Sequence, residues 1–379
     1  MTDHATAGRL RAAIRKEFRQ IVRDPLLLTL VLWLYSVEIV MCALALSFDL
    51  KEEPVAVVDL DRSAASLTLA ERFDRVPEFA VRHRPATAAA ARALLERGDA
   101  RLVVVVPRGY EGELARTGTA DVQFLVDGSN SVLALTAAGQ AERIVLRSWQ
   151  DLLAESVAAL PGVPSAPRVE NRVRIWYNPD LRFAFEQVLS SIALAAFMVA
   201  VIVPAALIVR EKERGTIEQL LVTPLRPVEL VLAKTVPMFV IGMLALGPSL
   251  LIARLFGLPF LGNPLTFASV SAALLVSAIA TGVLIAASAR TLQQALLLAF
   301  FVTVPILFLS GTMTPIESMP AALRAVSRLS PMRYYAESLP AIVLKGAGLD
   351  LLWPQLLWLL ALGAALFALA AVVFRRRLA

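Results

Sequence analysis

The segment REKERGTIEQLLVTP, Arg210–Pro224, places six charged residues between two long apolar stretches. The stretch before it, Val188–Val209, and the stretch after it, Thr235–Ala253, contain no Asp, Glu, Lys or Arg. A bilayer core about 30 Å thick is crossed by roughly 20 apolar residues in a helix. The charged segment is therefore expected to connect two membrane-spanning helices.

The whole chain has the composition of an integral membrane protein. Of its 379 residues, 58% are hydrophobic and 18% are charged, whereas a soluble domain carries charge on about a quarter. We predict six transmembrane helices, at about 25–48, 184–209, 232–253, 265–288, 292–312 and 353–374. The lysines and arginines cluster at the ends of these spans, so the net charge of +6 indicates the lipid bilayer as a partner and not nucleic acid. The single cysteine, Cys42, lies in an apolar span and excludes a disulfide framework.

The distribution of basic residues predicts the orientation of these spans. Fifteen lysines and arginines flank one set of span ends and five flank the other, with the long 49–180 segment left out. Cytoplasmic flanks carry the excess of positive charge in membrane proteins. Both termini and the 210–226 connection are therefore predicted to be cytoplasmic, while 49–180 lies on the other side.

Residues 1–24 have the pattern of a basic amphipathic helix that precedes the first span. Its apolar side chains recur at helical spacing: Leu10, Ile14, Phe18 and Ile21. Six lysines and arginines occupy the rest of the surface. We expect an interfacial helix whose apolar stripe lies among lipid chains. A solvated helix packed on another domain is the alternative.

The 49–180 segment predicts an α/β extracytoplasmic domain inserted between the first and second spans. Strands are expected at PVAVVDLD (54–61), RLVVVVP (101–107), DVQFLVDG (121–128) and VRIWYNP (173–179). Helices are expected at 63–75, 86–99 and 131–156. Asp59 and Asp61 could suggest a metal pair, but a strand end that leads into a helix capped at Ser63 is the favoured interpretation. No internal repeat is visible along the chain.

The sequence lacks the usual chemistry of an ATP-hydrolysing or metal-dependent enzyme. No G-x-x-x-x-G-K-[ST] phosphate loop occurs, and the histidines are only His4 and His83. A serine nucleophile at Ser63 or Ser66 is discounted because only His83 could serve as its base. We assign no catalytic residue, metal ligand or bound cofactor to this chain, which is not predicted to be an enzyme on its own.

Ionisable residues are rare within the predicted spans. The candidates are Glu38 in the first span, Glu186 near the start of the second and Lys234 near the start of the third. Glu186 and Lys234 can lie at the membrane interfaces, whereas Glu38, in LYSVEIVM, lies midway, where burying a carboxylate is costly unless it is paired or protonated. Glu38 is either part of a substrate path or a structural residue at a helix contact or near the outer surface. An ion-coupled secondary transporter that uses Glu38 is one alternative function, and a membrane-anchored receptor or enzyme that works through residues 49–180 is another.

The 210–226 connection also has the pattern of a short coupling helix. Thr216 and Gln219 form a T-x-x-Q capping box, Glu218 follows in the first turn, and Pro224 ends the helix. A helix tied to two spans is suited to transmit motion from a partner in the cytoplasm. A solvated connecting loop is the alternative.

Several stretches together resemble the ABC type-2 transporter permeases, in particular the bacterial exporter subfamily with a large extracytoplasmic domain between the first two spans. They are KEFRQIVRDPLLL (16–28), PVAVVDLDRS (54–63), VREKERGTIEQLLVTPLRPVELVLAK (209–234), LSGTMTPIESMP (309–320) and SPMRYYAESLPAIVLKGAGLDLLW (330–353). The resemblance covers nearly the whole chain. It implies a five-helix transmembrane region at 181–379, with the coupling helix at 210–226 and short outer helices at 313–350.

The resemblance implies a multi-pass permease of the bacterial cytoplasmic (inner) membrane that works in export or efflux. The chain would pair with a second permease copy or a paralogue, and with two ABC ATP-binding subunits that carry the ATP and Mg. The residues implied to contact those subunits are Glu211, Glu213, Arg214, Gly215, Thr216, Glu218 and Leu221. The cargo, and whether the 49–180 domain meets a periplasmic partner, are left open.

Overall fold

The computed structural model describes residues 2–45, 52–158, 183–215 and 227–378. The chain divides into two compact units. Unit one combines Met1–Ser47 with Ile175–Ala379, and unit two is Phe48–Arg174.

The elements follow one another in an order that separates the sheet from the long helices. Unit one begins with α1 (Thr2–Val22), α2 (Pro25–Leu32), a π-helical turn (Trp33–Val37) and α3 (Glu38–Ala45). Unit two contains β1 (Glu53–Asp59), α4 (Ala64–Asp74), β2 (Phe79–His83), α5 (Ala88–Arg97), β3 (Leu102–Val106), α6 (Tyr110–Thr117), β4 (Gln123–Val126) and α7 (Ser131–Ala158). Unit one resumes with α8 (Phe183–Glu213), α9 (Pro227–Leu255), α10 (Pro264–Ser288), α11 (Leu292–Phe308), a 3₁₀ turn (Ile316–Ser318), α12 (Ala321–Ser327), α13 (Pro331–Lys345) and α14 (Leu349–Leu378).

Five helical stretches among the described residues are long and apolar enough to cross a membrane. They are Leu27–Leu44, Ala184–Glu213, Val231–Leu255, Pro264–Ser288 and Leu349–Val373. The remaining predicted span corresponds to α11, which is apolar but has only 17 residues. The structure thus supports a helical protein with about five candidate spans, and the sixth crossing stays a prediction.

The packing of unit one is centred on α8 and α10. In these two helices 78% and 83% of the span is buried, against 17% in α14. A glycine permits their close approach, because a Cβ atom at Gly282 would lie 2.3 Å from the carbonyl oxygen of Val201. A helix that is buried on all sides carries few charged residues on any face, which explains why Val188–Val209 of α8 and the whole of α10 contain none.

Helix α1, which carries the predicted apolar stripe, packs against α9. Ile21, at the end of that stripe, is 1% exposed and belongs to the core of unit one. Glu17, which falls within the same stripe, is also buried. At this end, therefore, the stripe contacts protein.

Unit two contains a four-stranded sheet in the order β2-β1-β3-β4. The first three strands are parallel, and β4 is antiparallel to β3. Helices cover both faces, with α4 and α7 on one and α5 on the other. A parallel sheet buried on both faces requires continuous apolar strands, as in LVVVV of β3.

Most sequence-based assignments in unit two coincide with observed elements. Strands β1, β3 and β4 and helices α4, α5 and α7 lie where they were expected. Strand β2 and helix α6 were not predicted, because FAVRH and YEGELART are short and carry polar residues. The strand expected at 173–179 lies outside the described residues.

The turn after β1 is built from hydrogen bonds to two aspartates. Ser63 caps α4 in a capping box with Ser66, as predicted, and the Ser66 hydroxyl donates to Asp59 Oδ2 at 2.9 Å. The amides of Gly109 and Glu111 donate to the two carboxylate oxygens of Asp61 at 2.7 and 3.0 Å. Hydrogen bonds from Ser63 and from the amides at the start of α6 hold the pKa of Asp61 below its ordinary value.

Candidate coupling site

The charged residues before the 216–226 segment form the last turn of α8. The helix continues to Glu213, so residues 210–213 are not a loop and do not belong to a separate helix at 210–226. The reason is that REKE contains no helix breaker, and a change from apolar to charged side chains does not end a helix. Gly215, with φ of 67°, then terminates it in the left-handed conformation that glycine adopts without strain. Thr216, Glu218 and Leu221 lie outside the described residues.

Four consecutive side chains in this turn contact four different parts of unit one. Successive residues of an α-helix are rotated by about 100°, so a run of four points in all directions around the axis. Arg210 makes the first contact, with Asp24 at 3.4 Å between Nη1 and Oδ2. Asp24 in turn caps α2 by accepting the amide of Leu27 at 3.1 Å. The end of α8 is thereby joined to the start of the first span.

Glu211 contributes to a buried charge cluster, which we define as Glu17, Glu211 and Lys234. The Lys234 ammonium lies 2.5 Å from Glu211 Oε2 and 3.4 Å from Glu17 Oε1. The side chains are all largely buried, with exposed fractions of 6% for Lys234, 12% for Glu211 and 8% for Glu17. Buried charges persist only when they are paired, so this cluster fixes α1, α8 and α9 relative to one another.

Lys212 and Glu213 hold the connection between α10 and α11. The Lys212 ammonium donates to the carbonyl oxygen of Ala286, and it lies 3.5 Å from those of Ala287 and Ala289. Glu213 Oε1 accepts the amide of Leu292 at 2.7 Å. Lys212 thus places a positive charge at the carboxyl end of α10, and Glu213 places a negative charge at the amino end of α11. Each charge is opposite in sign to the helix dipole at that end and is stabilised by it.

The structure separates the predicted site residues into two places. Glu211 and Glu213 lie in the described contacts, and Arg214 and Gly215 follow them as exposed residues. Glu38 lies elsewhere, in α3, where it is half-buried and its Oε1 accepts the Cys42 thiol at 3.2 Å. Its second oxygen, Oε2, is buried and has no hydrogen-bond partner in the described part of the chain.

Sequence reasoning did not assign Glu17, Asp24 or Lys234 to this site, although Lys234 was noted as an ionisable residue near the start of the third span. One signal was available, because Glu17 interrupts the apolar stripe of α1 in register with Ile21, and a carboxylate on a buried face requires a partner. Pairing across the fold, which joins Glu17 to Lys234, leaves no signal in a single sequence. Within the described ranges, no group of three or more His, Cys, Asp or Glu side chains is placed to hold a metal ion.

Comparison with known proteins agrees with this architecture. A family model described as ABC-2 family transporter protein matches residues 25–372. The chain is 30% identical over 375 residues to the "Probable multidrug ABC transporter permease YbhR" of Escherichia coli (strain K12), a match that covers 97% of this chain and 99% of that protein. It is 29% identical over 364 residues to the "Inner membrane transport permease YhhJ" of the same strain, with 95% of each chain covered. Since the family match extends over nearly the whole chain, this protein belongs to the ABC-2 family of transporter proteins.

Proposed function

We propose that this chain is the membrane-spanning permease subunit of an ATP-driven exporter in a bacterial inner membrane. The observation that supports the proposal most directly is the last turn of α8, where four consecutive charged residues bind four different parts of unit one. Family membership supports the coarser statement that the chain is a permease subunit of an ABC transporter. Two relatives in Escherichia coli (strain K12), YbhR and YbhS, are each named a probable multidrug ABC transporter permease, which favours export of partly apolar compounds.

In this proposal the 210–226 segment receives the movement of ATP-binding subunits in the cytoplasm. Two copies of the chain, or one copy and a paralogue, form the path between them. Unit two lies on the opposite side of the membrane, both termini are cytoplasmic, and α11 makes the sixth crossing. ATP and Mg are held by the partner subunits and not by this chain.

The contacts of residues 210–213 suggest how a movement would spread. A displacement of the segment after Gly215 acts first on the end of α8. Glu211 passes it to α1 and α9 through Lys234, because a buried ion pair resists separation. Lys212 and Glu213 pass it to α10 and α11. Every spanning element that touches this turn is therefore moved together.

The test is charge reversal in the intact complex, co-expressed and purified with its ATP-binding subunits. We expect Glu213→Lys and Glu218→Lys to reduce ATP-dependent transport by about tenfold, because about 1.4 kcal/mol of coupling free energy is lost. Membrane insertion should be unchanged. Glu96→Lys, an exposed change in unit two, is the matched control. Wild-type transport and cargo-stimulated ATP hydrolysis in both coupling variants would contradict the proposal.

The ion-coupled carrier is not favoured, because the relatives over nearly the full chain are ABC transporter permeases. Glu38 stays a predicted path residue. If it has that role, Glu38→Gln will lower transport of a cationic cargo but leave the assembly with ATP-binding subunits intact. Transport equal to the wild type would restrict Glu38 to a structural role beside Cys42.

A further inference from the structure

A second feature of unit one is an apolar cavity at the end of α9 opposite the coupling site. Its volume is about 340 Å³. Helices α8, α9, α10 and α13 and the 257–263 connection surround it, with Leu189, Leu250, Leu258, Phe260, Phe267 and Val343 in the lining. Arg254 is the one charged residue among the described residues that line it.

The walls of this cavity are fixed by backbone contacts. Helix α9 ends in a Schellman motif, in which the amide of Leu258 bonds to the carbonyl of Ala253 and the amide of Gly257 to that of Arg254. The same connection is joined to α13 by a hydrogen bond of 2.9 Å from the Leu261 amide to the Val343 carbonyl. These contacts fix the 257–263 connection to α9 and to α13, so this part of the cavity wall is held by backbone hydrogen bonds.

The mouth of the cavity lies on the exposed face of α9. Leu251 lines the mouth and is 61% exposed, and the neighbouring Leu255 is 78% exposed. On a membrane-spanning helix such leucines contact lipid chains. An apolar groove of this size that opens toward the membrane is favourable for apolar chains, which gain van der Waals contacts with its lining. Lipid chains beside the mouth can fill it.

Arg254 gives this apolar site a positive charge, which favours a ligand that carries a negative charge. Its guanidinium is exposed, and it has no ion-pair partner among the residues that the structure describes. The carbonyls of the last helical turn are already bonded within the Schellman motif, so they do not compete for the guanidinium. Guanidinium groups bind phosphate through paired, charge-assisted hydrogen bonds. The ligand therefore combines an apolar chain with a phosphate.

We propose that this cavity is a resident site for an anionic phospholipid, with one acyl chain in the cavity and the phosphate on Arg254. A free phosphate would leave the apolar lining empty, and a neutral apolar compound would leave Arg254 unused. A zwitterionic lipid binds less well, because its own ammonium group competes for the phosphate. The site is separate from the coupling site and does not depend on the proposed export function.

The test is native mass spectrometry of the intact detergent-purified complex, titrated with phosphatidylglycerol or phosphatidylethanolamine. We expect the wild type to retain phosphatidylglycerol preferentially. Arg254→Gln should weaken that retention by about tenfold, which corresponds to about 1.4 kcal/mol, and Arg254→Lys should restore part of it. Arg328→Gln, at another exposed arginine with no ion-pair partner in the described ranges, is the matched control and should change nothing.

A second variant tests the acyl-chain half of the site. Leu250→Trp places a larger side chain in the cavity and should reduce retention of the same lipid with Arg254 intact. Equal retention of both lipids by the wild type, or no effect of Arg254→Gln, would overturn the proposal. Release of the bound lipid during each round of ATP hydrolysis would also overturn it, since the lipid would then be cargo.

Discussion

At the scale of single residues, Lys234 is the centre of the buried charge cluster. It provides the positive charge between two carboxylates, Glu17 and Glu211, that come from different helices. Lys16, whose ammonium is 3.6 Å from Glu17, is 61% exposed and contributes less because solvent screens it. The stability of this region therefore depends on one lysine.

We expect Lys234→Met to destabilise the purified complex by about 3 to 5 kcal/mol, because two buried carboxylates lose their cation. A lower midpoint of thermal unfolding, followed by size-exclusion chromatography, would show it. Adding Glu17→Gln and Glu211→Gln should recover most of the loss, since no unpaired charge then remains. The control Lys16→Met should leave the midpoint within the error of the wild type. A midpoint unaffected by Lys234→Met would contradict the ion pairing described here.

Asp61 makes unit two sensitive to acid. Its hydrogen bonds favour the ionised carboxylate, so its pKa is lower in the fold than in the unfolded chain. The stabilisation that these hydrogen bonds provide is present in full at pH values above the pKa of Asp61 in the unfolded chain, which is about 4. It is lost as the pH falls through the lower pKa that Asp61 has in the fold. Hydrogen exchange of the Gly109 and Glu111 amides, corrected for intrinsic rates, should therefore accelerate below about pH 4. Asp61→Asn should remove this pH dependence while Asp74→Asn retains it, and equal profiles for both variants would disprove the assignment.

At the scale of elements, the contact between α8 and α10 depends on Gly282. Gly282→Ala places a methyl group against the Val201 carbonyl, so the two helices must separate, and we expect a loss of about 1 to 3 kcal/mol. Gly247→Ala in α9 is the matched control, because no atom lies within 4 Å of its added Cβ. Thermal unfolding midpoints of the two purified variants provide the comparison. Equal midpoints would mean that α8 and α10 adjust without loss.

The helices themselves were predictable, and their ends were less so. Spans of about 20 apolar residues identify α8, α9, α10 and α14, because a helix is the structure that satisfies its own backbone in lipid. The predicted second span ended at Val209, because the residues that follow are charged. Helix α8 continues to Glu213, because those charged residues have a high helix propensity. In unit two the buried valines predicted β1 and β3, whereas the shorter and more polar β2 depends on pairing with β1. Such pairing is a tertiary effect that local pattern does not encode.

At the scale of the whole molecule, the chain requires a second copy or a paralogue in the proposed function. It shows no internal repeat, so a symmetric path must arise by association. We expect native mass spectrometry of the co-expressed complex to find two permease chains, each of 41.0 kDa if they are identical, with two ATP-binding subunits. A complex with one permease chain would contradict this stoichiometry.

The candidate site was partly predictable at this scale. The position of the charged segment between two spans predicted a cytoplasmic coupling region that includes Glu211 and Glu213, and its location and role stay predictions. The partners of those residues were not predicted, because Glu17 and Lys234 are separated by more than half of the chain. Which charges meet is decided by the packing of α1 against α9.

The contacts of Lys212 and Glu213 limit how the end of α8 can move relative to α10 and α11. Two adjacent residues join the last turn of α8 to the end of α10 and the beginning of α11, so a displacement of one of these helix ends is resisted by its contacts with the other two. The glycine that follows these contacts along the chain is Gly215, whose backbone is in the left-handed conformation. In the proposed function, rotation about Gly215 would set the direction from which the 216–226 segment acts on α8. A residue with a side chain adopts the φ of 67° only with strain, so in the same proposal a substitution at position 215 would change that direction.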